Sequence, residues 1–229
     1  MGESVLYGAA YSVYVRAVRL VLAEKCVAYR LEEVDVFGPE GVPAAHRARH
    51  PFGRIPAFEH DGFRLYESGA ISRYIDEAFA GPPLQPTAPR SRARLNQAIA
   101  ILDNYAYRCL VWDIFVERVR APAQGRLADE ARIAAALPLA ETSIAALEAI
   151  MGEGRFLAGD AISLADLHAA PMIAYFALAR EGSALLARHP RFSAWWERMR
   201  SRPSHAATRS PLEDPVKPSL RSEAEAKNS

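Results

Sequence analysis

Four prolines fall within ten residues in GPPLQPTAPR, positions 81–90. Proline has no amide hydrogen and a locked φ, so neither a helix interior nor a central strand runs through such a stretch. The chain must change course there, and its pattern differs on the two sides. Before it, segments of two-residue alternation mix with helical spacing; beyond it, nearly every segment repeats at helical spacing alone. At 229 residues the chain can form two small domains. We read residues 1–80 as an α/β domain, 81–90 as a linker and 91–209 as an all-α helical domain. Residues 210–229, polar and charged, read as a disordered tail.

Within the first domain, residues 4–7 read as a strand and 13–25 as a helix. Tyr14, Val18, Val21 and Leu22 share one face of that helix, with Arg16, Arg19 and Glu24 off it. Residues 29–36 alternate like a second strand. Residues 55–58 and 63–66 flank His60-Asp61-Gly62, whose Asp-Gly pair signals a hairpin. The stretch 37–51 is a long loop with room for a short helix. In the second domain, 91–120 and 127–151 are long amphipathic runs. Ser163-Leu164-Ala165-Asp166 is a capping box opening a helix over 164–180, which Pro171 should kink or shorten. A last helix covers 192–202.

Composition excludes several classes of function. Half the residues are hydrophobic and the formal net charge is +1, which leaves no electrostatic footprint for nucleic acid or an anionic membrane. Two cysteines, Cys26 and Cys109, fit a reducing compartment and read as buried and inert. The N-terminus lacks a signal-peptide pattern, and no uninterrupted apolar run approaches the ~20 residues of a membrane span. These features predict a soluble cytoplasmic protein. There is no Gly-rich phosphate loop, and the six histidines show no metal-ligand spacing. His168 reads as a satisfied structural histidine.

One juxtaposition remains unexplained by packing. In RLYESGAISRYI, an alternating strand gives way to a helix whose buried face is Ile71, Tyr74, Ile75 and Phe79, and Glu67 and Ser68 sit at the junction. Ser68 at a helix N-cap has a sufficient structural explanation. The pair also suits a small zwitterion: helix N-terminal amides and a hydroxyl for its carboxylate, and Glu67 for its ammonium.

The order βαβ, then ββα with a proline leading into the hairpin, then helices resembles the cytosolic glutathione transferase superfamily. HPFGRIPAFEHDGFRLYES is similar to its loop, cis-proline, hairpin and helix. FLAGDAISLADLHAAP is similar to its second-domain signature, and both most resemble phi-like, serine-type members. The resemblance implies a thioredoxin-like N-terminal domain that binds glutathione as co-substrate, with no metal. It implies Glu67 and Ser68 for the γ-glutamyl end. It also implies a cis bond before Pro56, presenting the backbone of Ile55 to the cysteinyl part. From the residues alone that bond would read as trans, since only ~5–6% of X–Pro bonds are cis.

By the same resemblance Ser12 is the phi-like serine whose hydroxyl donates to the glutathione thiolate, and Arg16 orients that hydroxyl or adds positive potential. Ser12 also reads as a plain helix cap, and Tyr7 and Tyr11 are rival donors. Asp166 is expected to act structurally. One departure concerns the glycyl carboxylate: Gly41, Val42 and Pro43 stand near where basic side chains are usual, and Arg54 replaces a common glutamine. His46, Arg47, Arg49 and Arg54 are candidates for the missing charge, and Arg54 is included in the glutathione site. Tyr11, Tyr107, Trp112, Phe115 and Val116 are candidates for an acceptor pocket, although such an aromatic stripe also fits a core. The expected activity is attack of glutathione thiolate on a small hydrophobic electrophile by a homodimer. The alternatives are a non-catalytic ligand- or protein-binding module and glutathione-dependent peroxide reduction.

Overall fold

A computed structural model describes residues 2–39 and 41–213. Its first half is built on strands β1 (Ser4–Tyr7), β2 (Arg30–Glu32), β3 (Ala57–His60) and β4 (Phe63–Tyr66), ordered β2-β1-β3-β4. β2 pairs parallel with β1, whereas β3 lies antiparallel to both β1 and β4. This is a thioredoxin-like sheet. Between β3 and β4, Asp61 and Gly62 adopt φ of 50° and 79°, the left-handed pair a two-residue type I′ turn requires.

Two strands are shorter than their alternation suggests. β2 ends at Glu32 because the Asp35 carboxylate accepts the Phe37 amide (2.9 Å) and turns the chain out of the sheet. β3 starts at Ala57 rather than residue 55, since Pro56 has no N–H to give to the ladder. Helix α1 (Val13–Glu24) packs against α3 (Ser68–Ala78), and the long loop between β2 and β3 holds one short helix, α2 (Ala44–Arg47). Cys26 turns left-handed (φ 54°) just past the end of α1 and is exposed, contrary to expectation. Cys109 is buried, its thiol pushed up to about 11 by burial.

The proline-rich stretch is pinned at several points. Leu84 is buried; its amide donates to Asp76 Oδ1 (2.9 Å) and its carbonyl accepts from the Leu164 amide (2.9 Å). Lys25 Nζ donates to the carbonyls of Asp76 (2.9 Å) and Pro82 (3.3 Å). The segment therefore joins the sheet half to the helical half through fixed bonds.

Helix α4 (Pro89–Ile101) continues as π-helical turns over Leu102–Ala106 and Arg108–Arg120, then closes with α5 (Ala121–Ala123). Along these turns the amides reach five residues back, as Tyr107 does to Leu102. The wider turn rotates later side chains away from the faces that a 3.6-residue period assigns. Helix α6 (Glu130–Met151) follows, capped by Asp129, which accepts from the Arg132 amide at 2.9 Å. Its 22 residues are long and apolar enough, by length and composition alone, to cross a membrane. Glu141 and Glu148 interrupt it, so no uninterrupted apolar run reaches the ~20 residues of a span. Here it packs in the helical domain with Ile133, Ala140, Ile144 and Leu147 turned inward.

Helix α7 (Leu164–Phe176) is buried along its whole length, Pro171 included, and packs against α1 and the π-helical rod. It ends short of residue 180, because Ala179 is extended and begins α8 (Arg180–Ala187). The capping box forms as expected. Asp166 accepts from the amides of Leu157 and Ser163 (both 2.8 Å), Ser163 Oγ (2.7 Å) and Trp195 Nε1 (2.7 Å). His168 is buried and bonds Asp103 at 2.7 Å.

After α9 (Pro190–Arg200), the chain lies back along α1 through α10 (Pro203–Ala207) and a 3₁₀ turn, Pro211–Glu213. Arg202 grips Glu24 with two bonds (2.8 and 2.7 Å), Arg19 reaches the Thr208 carbonyl (3.4 Å), and Arg16 binds His205 and Glu213. Residues 210–213 are thus ordered, contrary to the expected tail; the rest of that tail lies outside the described residues.

This strap carries a pH dependence. Burial first, then Arg16, Arg209 and Arg200, hold His205 down to about 4. The unfolded chain, with a histidine near ~6.5, takes up the proton before the folded one. Stability from this group is therefore complete above pH ~6.5 and is lost as pH falls toward 4. Folding stability should fall by on the order of 2 kcal/mol between these limits, and His205→Gln should flatten that slope. An unchanged slope in the variant would contradict this.

Candidate active site

The sheet register gathers the sequence's separate candidates at one end. Tyr7 pairs with Glu32 and Ala57, and Ala57 pairs with Tyr66. The turn after β1, the loop after β2, the bond before β3 and the residue after β4 therefore share one edge. They are residues 8–12, residues 33–39, Ile55-Pro56 and Glu67-Ser68. Gly8 opens this edge: a Cβ there would stand 2.4 Å from Val15 Cγ2 and 3.3 Å from Ile55 Cβ. Only glycine lets the turn approach so closely.

Ser12 is the N-cap of α1, with φ −75° and ψ 128°, and its Oγ accepts from the Val15 amide at 3.4 Å. A hydroxyl has one proton, and capping uses only the oxygen. The Tyr11 phenol differs, because its proton goes to Asp35 Oδ1 at 2.8 Å. Burial and then Asp35 raise its pKa well above the usual tyrosine range. Tyr7 lies with its ring under the Arg49 guanidinium, 4.2 Å from the centroid.

Arg16 does not face Ser12's chemistry as anticipated. It is buried, with Nη1 2.5 Å from Glu213 Oε1 and Nη2 3.2 Å from both His205 Nε2 and the His205 carbonyl. Its charge is met by Glu213, so it fastens the strap and adds little potential at the turn. The residue spacing pointed along α1 correctly but could not reveal partners nearly 200 positions away.

At the opposite wall the Ile55–Pro56 bond is cis. Glu67, not Ser68, is the N-cap of α3; it is exposed, has φ 71°, and makes no side-chain cap bond. Its left-handed backbone turns β4 directly into α3 and leaves Ser68 as the first helical residue, buried. Ser68 therefore caps nothing, and the first amides of α3 face the same edge as orphan donors.

In the loop before Pro56, His46 Nε2 is spent on the Arg54 carbonyl (2.7 Å), and Arg49 on Tyr7 and the Ala45 carbonyl. Arg54 and Arg47 are exposed, and neither has an ion-pair partner among the described residues. His50 was not anticipated. It is buried against Tyr66 (4.8 Å), its Nδ1 has no partner among the described residues, and burial lowers its pKa against the pull of Glu67. In the sequence it stands four residues after His46 and opens the HPFGRIP segment.

The N-terminal domain profile of glutathione S-transferases matches residues 6–83, and the C-terminal domain profile matches residues 93–203. The chain belongs to the glutathione S-transferase family. It is 31% identical over 208 residues to glutathione S-transferase F6 of Arabidopsis thaliana, covering 87% of this chain and 95% of that one. Among solved structures it resembles glutathione transferase F7 from Populus trichocarpa, at 30% identity and a TM-score of 0.79, covering 90% and 97%. It also resembles a glutathione S-transferase I bound with lactoylglutathione, at 26% identity and a TM-score of 0.79, covering 90% and 98%. The phi-class likeness read from the motifs is thus shown, and so is the transferase activity toward glutathione at the level of the family.

Three rings of this transferase stand in one row. Tyr11 lies 6.1 Å from Phe37, and Phe37 meets Trp112 edge-on at 5.9 Å. Phe37 was missed because its segment lacks periodicity; Asp35 holds both it and Tyr11. Tyr107 packs on Tyr14 at 4.7 Å, and burial raises its pKa. Val116 is half-buried against the core. Phe115 is a core residue, stacked on Tyr175 at 4.3 Å and 9°, because the π-helical turns rotate it inward.

Proposed function

We propose that this transferase uses the Ser12 hydroxyl to stabilise the glutathione thiolate, which attacks small hydrophobic electrophiles resting against Tyr11, Phe37 and Trp112. One observation carries the reading: among the described residues the Ser12 hydroxyl proton has no acceptor, while Tyr11 has spent its own on Asp35. The N-terminus of α1 adds favourable potential for an anion. Catalysis then rests on orientation and charge stabilisation, with no covalent enzyme intermediate.

Glutathione would lie along the shared edge. The backbone of Ile55, before Pro56, pairs with its cysteinyl part. Glu67 takes the γ-glutamyl ammonium, and Ser68 with the first amides of α3 takes the carboxylate. Arg54, exposed and without an ion pair, is our choice for the glycyl carboxylate. We read residues 1–80 as the glutathione-binding domain and 91–209 as the helical domain, in a cytoplasmic detoxifying enzyme.

The test is thermal stabilisation by glutathione, followed by panels of electrophiles and peroxides. Glutathione at a hundred times its Kd should add ~2.7 kcal/mol of stability, and aryl or alkyl electrophiles should turn over. Turnover of peroxides alone would assign the same thiolate to peroxide reduction. No stabilisation would contradict the reading.

We further propose a twofold homodimer in which α3 of one subunit faces the long rod of the other. Phe52 and Tyr66 support it: their rings meet at 6.3 Å yet stay 71% and 37% exposed. Light scattering at micromolar concentration should give twice the chain mass; a monomer mass would count against the assembly.

A further inference from the structure

The peptide plane that precedes Ser12 is held from both sides. Its N–H, belonging to Ser12, donates to the Ala9 carbonyl at 3.0 Å. Its C=O, belonging to Tyr11, accepts from the Tyr175 hydroxyl at 2.6 Å. Tyr175 lies near the end of α7, 164 positions away along the chain. Fixing both ends of that plane sets the backbone from which the Ser12 side chain projects.

A proton count shows how the Tyr175 hydroxyl is set. A carbonyl can only accept, so Tyr175 spends its single proton on Tyr11. Its contact with Ser210 Oγ must then run the other way, with Ser210 donating. Ser210 in turn accepts from the Leu212 amide at 3.2 Å, and its own amide donates to Glu213 Oε1 at 2.8 Å. That same carboxylate oxygen takes Arg16 Nη1, on the first turns of α1. The bonds close a ring: Ser12, α1, Arg16, Glu213, Ser210, Tyr175, Tyr11 and back to Ser12. Burial, opposed by Ser210 and Arg16 and reinforced by Glu213, pushes the Tyr175 phenol up to about 12. It therefore stays a donor across the working pH range.

We propose that Tyr175 is a positioning residue for Ser12, and that the C-terminal strap, through Ser210 anchored on Glu213, holds the Tyr175 hydroxyl in place on the Tyr11 carbonyl. The strap then acts on the chemistry only through Tyr175 and the backbone before Ser12. This rests on the reading of Ser12 as the thiolate's donor.

The test uses full-length Tyr175→Phe, Ser210→Ala and Ser210→Thr with two readouts. The first is hydrogen exchange of the Ser12 amide, which needs no glutathione; Tyr175→Phe and Ser210→Ala should speed it about tenfold. The second is titration of glutathione's thiol in the complex; both variants should raise its pKa by roughly half to one unit, with glutathione affinity within about twofold. Ser210→Thr keeps the hydroxyl and should match the wild type in both. Faster exchange with an unmoved titration would make Tyr175 a merely structural brace and overturn the proposal, as would no change in either readout. Should Tyr175→Phe fail to fold, Ser210→Ala decides alone. A wild-type complex whose thiol is not depressed would instead sink the Ser12 reading, and this proposal with it.

Discussion

Ser12→Ala should slow glutathione conjugation at pH 7 roughly tenfold to a hundredfold, with little change in affinity for glutathione. A free thiol near ~8.5 is a few per cent ionised at that pH. A hydroxyl proton directed at the sulfur, helped by the N-terminus of α1, favours the ionised form. Each unit of depression is worth ~1.36 kcal/mol between the two protonation states. In the proposed site binding rests on Ile55, Glu67, Ser68 and Arg54, so the loss should appear in kcat and in the pH profile. The variant also loses the cap on the Val15 amide, at ~1 kcal/mol of stability. Tyr11→Phe separates the rivals. Its proton is already held by Asp35, so it should alter acceptor preference and leave the thiol alone. Retained turnover in Ser12→Ala with loss in Tyr11→Phe would make the phenol the donor.

Asp166→Ala should cost about 4 kcal/mol of folding stability, enough to threaten folding at physiological temperature. The carboxylate is fully buried and serves four donors: two amides, the Ser163 hydroxyl and the Trp195 indole. Removing it strands those donors in the interior, where each costs ~1–3 kcal/mol less whatever rearrangement recovers. Exposed Asp160, which accepts only a long bond from the Arg155 amide (3.2 Å), provides the control and should cost under ~1 kcal/mol. Urea unfolding of both variants measures the difference. A loss below ~1 kcal/mol for Asp166→Ala would show that α7 is held by packing alone.

What could be read from the sequence was what local chemistry dictates. Asp61-Gly62 implied its turn because few residues other than glycine, asparagine and aspartate accept a left-handed backbone. Ser163 and Asp166 implied a helix start because their spacing satisfies two orphan donors. The cis bond at Pro56 came only from resemblance, since nothing local distinguishes it. The misses have different causes, and only the first is distance along the chain. Arg16 sits one turn after Ser12, yet its partners are His205 and Glu213. Glu67 took the cap from Ser68 because the strand-to-helix turn needs its left-handed backbone. Phe115 left the predicted pocket face when the rod widened into π-helical turns. Phe37 joined Tyr11 and Trp112 through Asp35, in a loop with no periodic signal to find.

The decisive measurement is thiolate absorbance of the glutathione complex against pH, for the wild type and Ser12→Ala. The wild-type complex should titrate at least one unit below the ~8.5 of a free thiol, and Ser12→Ala should return most of the way to it. A wild-type complex titrating at ~8.5 or above, or a Ser12→Ala complex with the wild-type midpoint, would contradict a serine-stabilised thiolate.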